Sequence, residues 1–545
     1  MMNLLNNAII RTPTPVNEPI YNYAPGTNER TLLKKALERM GKETIDIPVI
    51  INGQEYRTGQ TGQVVMPHDH KKVMATYHKA GSDEVQAAID AAVKAHKDWR
   101  RLRWEERCAI FLKAADLLAS KYRYEINAGS MLSAGKTVFQ AEIDAACELI
   151  DFLRFNVYFA EKIYATQPDS SPGVWNFVQH RPLEGFVFAV TPFNFTAIAA
   201  NLPTAPAIMG NTVVWKPASS LVYTPYLFMK ILEEAGMPPG VINFVPGSGS
   251  AVGEICLNDP NLAGVHFTGS TAVFQKMWKT IGNNIANYKS YPRIVGETGG
   301  KDFIFAHSSA DASELVTAMV RGAFEYQGQK CSAASRAYIP ASLWSEVKPL
   351  LLTEIESIKM GPTTDLSNFL SAVIDRNAFE TIRDYIAYAR ESTGGEILIG
   401  GGCDDSVGYF IEPTVIIASD PQYKTMVEEI FGPVLTVFVY QDEEFEKTLE
   451  ICDSSTMYGL TGAIFSRDRL ATSFALEKLE NAAGNFYIND KPTGAVVGQQ
   501  PFGGGRASGT NDKAGAMTNL LRWVSPRTVK ETFVPPVQYR YPYMD

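Results

Sequence analysis

Short apolar runs alternate with amphipathic stretches through most of this chain. Phe186–Val190, Thr212–Trp215, Val241–Val245 and Val265–Phe267 are apolar almost throughout, with no in-and-out alternation. That is the pattern of strands buried on both faces. Helical segments lie between them, so a parallel sheet wrapped by helices is predicted. The alternation resumes after Glu297. Phe303–Phe305, Arg336–Ile339, Val434–Val439, Gly462–Phe465 and Phe486–Ile488 read as strands, with helices near 311–327, 343–358, 376–392, 442–452 and 468–480. A second α/β domain is expected there.

The flanking regions read differently. Residues 1–50 are polar, with Pro and Asn early and a helical stretch at Thr31–Met40, and read as a surface arm. Residues 51–80 hold short β-like runs such as Gln63–Met66. A helix opens at Ser82, read as its N-cap, with Val85, Ile89, Ala92 and Val93 on one face. Further helices are predicted at about 105–127 and 138–164. Residues 165–183 begin as a Pro/Ser/Gly loop and continue as a strand at Trp175–His180. The tail from about 521 has little helical pattern. No internal repeat or low-complexity segment is found.

Composition narrows the class. The chain has 545 residues, 45% of them hydrophobic, enough for a large core and two or more domains. A net charge of −9 does not suggest a nucleic-acid partner. The six cysteines are scattered without a C-x-x-C pair, so neither a zinc site nor a disulfide framework is indicated, and a reducing compartment fits. The seven histidines show no H-E-x-x-H spacing, so no metal is predicted. No run of about 18 apolar residues is present, so no membrane span is expected. Met1–Val16 lacks an apolar h-region with a cleavage site and matches an Arg- and Ser-rich transit peptide poorly; an atypical mitochondrial leader stays open.

Candidate chemistry centres on Gly328-Gln329-Lys330-Cys331-Ser332 and, upstream, Glu297 in Gly296-Glu297-Thr298-Gly299-Gly300-Lys301. A thiolate attacks a carbonyl, and a carboxylate then activates water to release the acyl group. The other five cysteines read as small buried hydrophobes. Lys330 could lower the thiol pKa, but a structural or solvated role is preferred. No G-x-G-x-x-G follows the first strand. Two glycine-containing loops, at Gly247–Gly253 and Thr268-Gly269-Ser270, follow strands and open helices. Helix N-termini of this kind present free N–H groups to a pyrophosphate.

These runs fall into an ordered series with Thr191-Pro192-Phe193-Asn194-Phe195, Trp215-Lys216-Pro217, Glu428-Glu429-Ile430-Phe431-Gly432-Pro433 and Pro501-Phe502-Gly503-Gly504. The series resembles the aldehyde dehydrogenase superfamily from about Ile51 to the C-terminus. The resemblance implies an α/β fold: a modified Rossmann cofactor domain, an α/β catalytic domain and a small β oligomerisation flap. The expected division is 1–164 with 184–296 for the arm and cofactor domain, 297–520 for the catalytic domain, and 165–183 with 521–545 for the flap. It implies Cys331 as nucleophile, Glu297 as base, and the Asn194 amide with the Cys331 N–H as oxyanion donors. It further implies that Lys216 contacts the adenosine ribose, Gly269 and Ser270 meet the pyrophosphate, Thr191 lines the channel through its backbone, Glu429 holds the nicotinamide ribose and Phe431 packs beside it. Taken singly, such a Lys and Glu would read as solvated and such a Phe as core. Many NAD-selective relatives carry Glu where this chain has Ser219, so NAD is expected and NADP is left open.

A narrower likeness is carried by Glu148–Asn156, Asn485–Asp490 and Gln500–Lys513, with Val16-Asn17-Glu18-Pro19 in the arm. These resemble the Δ1-pyrroline-5-carboxylate dehydrogenases. That likeness implies oxidation of L-glutamate γ-semialdehyde to L-glutamate in proline breakdown. Backbone N–H groups of Gly494 and Ala495 would bind the α-carboxylate, helped by the Ser332 hydroxyl. Glu148 would lie on the ammonium side, and Phe195 and Phe502 would sandwich the aliphatic part. Many relatives have Ser where Ala495 stands, so only the backbone role carries over there. A dimer or higher homo-oligomer is implied, in the cytoplasm, or in the mitochondrial matrix if the source is eukaryotic. The competing readings are a dehydrogenase of another aldehyde, such as succinic semialdehyde, and a catalytically silent relative.

Overall fold

A computed structural model describes residues 9–544; the first eight residues, on which the reading of a leader partly rests, lie outside the described residues. Two seven-stranded sheets organise the chain. The first runs, edge to edge, Arg293–Glu297, Leu262–Thr268, Phe186–Val190, Thr212–Lys216, Ile242–Phe244, Val49–Ile51 and Gln54–Tyr56. Its first five strands are parallel. The last two, supplied by the segment after the arm, are antiparallel additions. The second sheet runs Gly395–Ile399, Thr414–Ala418, Val434–Tyr440, Ala334–Pro340, Asp302–Ala306, Thr461–Phe465 and Asn485–Ile488. All its pairings are parallel except the one made by Gly395–Ile399. Strands such as Phe186–Val190 and Asp302–Ala306 are buried along nearly their whole length, which is why they read as continuous apolar runs.

Several predicted elements are refined. Gly81, not Ser82, is the N-cap of the helix Ser82–Trp99, and its N–H donates to the Glu84 carboxylate at 2.8 Å. The predicted helix 105–127 is two helices, Trp104–Ala119 and Arg123–Ala134. The Ser120 hydroxyl caps the first by donating to the Asp116 carbonyl at 2.6 Å. The predicted helix 138–164 is interrupted by a π-helical segment, Glu142–Glu148, before Leu149–Ala165. Such wide turns recur at functional sites. The tail holds a strand, Val524–Thr532, paired antiparallel with Val174–Pro182 along its whole length. Among the described residues no helix is long and apolar enough to cross a membrane.

Candidate active site

Cys331 follows a strained turn. The helix Ala312–Phe324 ends, and Tyr326 (φ 52°, ψ 38°), Gln327 (φ 56°, ψ 30°) and Gly328 (φ 65°) then take the left-handed conformation in succession. For Tyr and Gln this costs on the order of 1–3 kcal/mol each and persists only when the surroundings over-determine it. Here they do. The Gln327 amide donates to the carbonyls of Gly135 (2.9 Å) and Ala372 (2.7 Å). The Gln329 side chain accepts from Ile374 N–H at 2.9 Å. The Lys136 ammonium stands 4.5 Å over the Tyr326 ring. A Cβ at Gly328 would run into the Gly432 carbonyl, so only glycine fits.

The turn presents Cys331 at 8% exposure. Burial, and then the carboxylates of Asp302, Glu297 and Glu429, push its thiol pKa well above the ordinary range. The reactive thiolate form is therefore gained as pH rises, and the rate of a first half-reaction that depends on it is expected to climb across the neutral range; single-turnover rates in a pH series test this. Lys330 points at Glu325 (3.0 Å), with both side chains buried, which fits the structural role preferred for it.

Asn194 lies between the strand Phe186–Val190 and the helix Thr196–Ile208. Its amide donates to the Gln329 carbonyl at 3.1 Å, which holds it two residues along the chain from Cys331. The first N–H groups of that helix, from Thr196 and Ala197, donate to the Asp144 carboxylate at 3.0 and 2.8 Å. Asp144 is in turn paired with Lys136 at 2.6 Å, and both side chains are buried. The same ammonium stands 4.0 Å over the Phe195 ring. Lys136 thus ties the Asn194–Phe195 loop to the Cys331 turn. Lys136→Met would leave Asp144 buried without its cation, an expected loss of about 3–5 kcal/mol. The urea midpoint should fall accordingly, and Asp144→Asn added to it should recover part of the loss.

Glu297 ends the strand Arg293–Glu297, and its carboxylate accepts from Gly504 N–H at 3.3 Å. Burial raises its pKa well above the carboxylate range, opposed by that hydrogen bond and by Lys513. It does not line the main cleft, whereas its neighbours Thr298 and Gly299 do.

That cleft, about 1050 Å³, runs from Cys331 and Asn194 out along the carboxyl ends of the first sheet. Thr191, Lys216 and Ser219 line it, as do Gly269 and Ser270, and Glu429 and Phe431. All seven residues singled out for the cofactor are thus brought to one wall system. The helices Gly249–Asn258 and Thr271–Asn283 open on it, the second capped by Ser270. Lys216 is buried, its ammonium has no hydrogen-bond partner among the described residues, and it is pushed down to about 8 by that burial. An unpartnered ammonium and two helix N-termini facing one cleft suit a dinucleotide. Glu429 accepts from Gly300 N–H at 2.8 Å and is pushed up to about 7, mainly by burial. Phe431 is left-handed (φ 59°) and meets Phe193 edge-on at 5.6 Å.

The residues singled out for substrate lie off this cleft wall. The Ser332 hydroxyl is 2.8 Å from that of Thr493, which begins the Thr493-Gly494-Ala495 loop. The N–H groups of Gly494 (φ 100°) and Ala495 have no hydrogen-bond partner among the described residues. Glu148 closes the π-helical segment and is pushed up to about 8 by burial and then by Asp144. Phe502 is fixed by paired backbone hydrogen bonds with Ala514, at 3.0 and 2.8 Å. Sequence reasoning missed Lys136, Asp144 and Gln327. Asp144 meets Lys136 through the π turn, and Gln327 acts through a left-handed backbone; neither leaves a periodic signal.

The aldehyde dehydrogenase family model matches residues 55–529. The chain belongs to the aldehyde dehydrogenase family. Within it, the chain is 57% identical to the mitochondrial Δ1-pyrroline-5-carboxylate dehydrogenase of Dictyostelium discoideum, over 98% of this chain and 96% of that protein. It is 48% identical to the mitochondrial Δ1-pyrroline-5-carboxylate dehydrogenase of Homo sapiens, over 97% and 94%. Among solved structures, the Mycobacterium tuberculosis Δ1-pyrroline-5-carboxylate dehydrogenase bound with NAD superposes with a TM-score of 0.96 at 52% identity, covering 99% of this chain and 100% of that one. The fold is that of aldehyde dehydrogenases, as the motif series implied.

Proposed function

We propose that this aldehyde dehydrogenase oxidises L-glutamate γ-semialdehyde to L-glutamate with NAD, in the breakdown of proline. The observation that carries the substrate is the pair of unengaged N–H groups at Gly494 and Ala495, next to Thr493 and Ser332 beside the nucleophile. A substrate carboxylate needs such donors, whereas succinic semialdehyde would call for a basic side chain. The near full-length likeness to Δ1-pyrroline-5-carboxylate dehydrogenases supports the same substrate. Glu148 takes the ammonium side, and Phe195 and Phe502 hold the aliphatic part between them.

NAD, when bound in the cleft, would supply the hydride acceptor. Lys216, Ser219, Gly269 and Ser270 would hold its adenosine and pyrophosphate half, with the Thr191 backbone, and Glu429 and Phe431 its nicotinamide half. The Cys331 thiolate forms a C–S bond to the aldehyde carbon, and the oxyanion is met by the Asn194 amide and the Cys331 N–H. Loss of hydride from that carbon leaves a thioester on Cys331. Glu297 then takes a proton from water as the water oxygen bonds to the acyl carbon; the C–S bond breaks, the sulfur leaves as the Cys331 thiolate and the acid is released. Relatives from Mycobacterium and Thermus are described with NAD, which favours NAD over NADP despite Ser219.

Residues 1–164 with 184–296 form the arm and cofactor domain in this reading, and 297–520 the catalytic domain. The ribbon of Val174–Pro182 and Val524–Thr532 serves as the oligomerisation flap, so sedimentation is expected to give a dimer or larger. The compartment is the cytoplasm in a bacterial cell and the matrix in a eukaryotic one, as for the relatives named mitochondrial. The deciding assay follows reduced cofactor with glutamate semialdehyde, succinic semialdehyde and propanal, with NAD and NADP in turn. A large kcat/KM preference for glutamate semialdehyde with NAD is expected. Equal rates with all three aldehydes would sink the substrate.

A further inference from the structure

The arm does more than cover surface. Its residues 9–24 precede the stretch matched by the aldehyde dehydrogenase family model, which begins at residue 55. They carry no helix or strand, yet they are docked by charged and polar contacts along one line. Arg11 and Thr12 meet Glu161 (2.9 and 2.6 Å). Glu18 N–H donates to Asp151 at 2.8 Å, and the Glu18 carboxylate takes Arg123 and Arg154. Tyr21 and Tyr23 donate to Glu142 (2.9 and 2.7 Å). The arm therefore runs against the direction of the π-helical segment and the helix Leu149–Ala165, the element that carries Glu148 at its start.

Asn17 joins this line to the segment that follows the Thr493-Gly494-Ala495 loop. Its amide nitrogen donates to the Asp151 carboxylate (2.8 Å) and to the Val497 carbonyl (2.8 Å). Its amide oxygen accepts from the Gln499 side chain (2.8 Å). Val497–Gln499 follows the Thr493-Gly494-Ala495 loop after the single residue Val496. Val497 is buried in the core. Gly498 is left-handed (φ 80°), and its backbone lies so close to the Phe155 ring that a Cβ would collide with it. The segment is thus pressed onto the helix by packing and pinned to it by one side chain from the arm. Gly494 itself is exposed and its N–H is unengaged, so its position rests on its two flanks: Thr493, 2.8 Å from the Ser332 hydroxyl, on one side, and the Val496–Gln500 turn that Asn17 engages on the other. A loop is held to a productive geometry only when its supports are themselves fixed.

We propose that the N-terminal arm is a specificity element of this enzyme: Asn17 is a positioning residue that pins Val497–Gln499 to Asp151 and so sets the Gly494 and Ala495 N–H groups to receive the substrate's α-carboxylate. The inference rests on the proposed function, because a substrate with no carboxylate makes no use of that loop. The arm thereby adapts a general aldehyde-oxidising fold to an amino-acid aldehyde.

The test compares wild type, Asn17→Ala and Gln499→Ala as full-length chains, with glutamate semialdehyde and propanal, and follows deuterium uptake of the 491–500 peptide. Gln499 is exposed, so its variant keeps the test alive if Asn17→Ala folds poorly. Asn17→Ala is expected to lower kcat/KM for glutamate semialdehyde about tenfold, carried by KM, as loss of a hydrogen bond to a charged group typically does. Propanal turnover should stay within about twofold, since the reacting atoms are untouched. Exchange in 491–500 should quicken, and Gln499→Ala should move both readouts the same way by less. Equal losses with both aldehydes would mean a merely structural arm and would overturn the proposal, as would unchanged exchange. A wild-type enzyme with no preference for glutamate semialdehyde would instead fail the proposed substrate; the exchange readout would still decide whether Asn17 braces the loop.

Discussion

Cys331→Ala is expected to abolish reduced-cofactor formation, by on the order of 10⁴-fold or more, while the protein still folds and binds NAD. The size of the effect follows from what the residue does. Without a thiolate no covalent adduct forms, and hydride would have to leave an unactivated aldehyde. The fold should tolerate the change, because the strained turn is held by other groups: Gln327 on Gly135 and Ala372, Gln329 on Ile374, and the Gly328 backbone against Gly432. Removing the sulfur takes a buried thiol out of a site crowded with the carboxylates of Asp302, Glu297 and Glu429, whose proximity disfavours its thiolate. An unchanged melting temperature with NAD-dependent stabilisation retained, and turnover lost, is the expected combination. Retained turnover would remove Cys331 as the nucleophile.

The parts of this site that could be read from sequence are those where one residue type at one spacing carries the chemistry. Cys331, Glu297 and Lys216 stand in short runs whose neighbours must be small or rigid. The strands around them are legible because both faces are buried, so their residues are apolar without alternation. Thr414–Ala418 and Arg293–Glu297 are strands that the pattern does not predict. The first is a β-branched run of the same kind, so its signal was present. The second has only Ile294 and Val295 as an apolar centre, and it lies at a sheet edge. The pairing of Val174–Pro182 with Val524–Thr532 joins segments far apart in the chain, and no local pattern encodes it. The supports of the nucleophile are hidden for a related reason. Lys136 meets Asp144 across a π-helical segment and touches Phe195 and Tyr326 from two distant segments, so its role exists only once the chain is folded.

Glu297→Gln separates the two halves of the reaction. In the proposed reaction the first half uses Cys331, Asn194 and bound NAD, and the amide leaves these in place. The second needs a base to take a proton from water, and an amide cannot. The expected result is a burst of reduced cofactor of about one equivalent per active site, followed by turnover slowed about 10²–10⁴-fold, the usual contribution of a positioned general base. Intact-protein mass spectrometry after the burst should find the substrate acyl group on Cys331. The pH dependence has a definite sign. Burial holds the Glu297 carboxyl well above its ordinary range, so the basic form is gained as pH rises. Wild-type deacylation should therefore speed up from mildly acidic to neutral pH and beyond, and the residual rate of Glu297→Gln should lose that dependence. Gly504 N–H and Lys513 act in the opposite direction, favouring the carboxylate. Lys513→Met is accordingly expected to shift the acid limb of deacylation to higher pH without touching the burst. A Glu297→Gln enzyme that shows no burst and releases acid at the wild-type rate would leave the hydrolytic base to be found elsewhere.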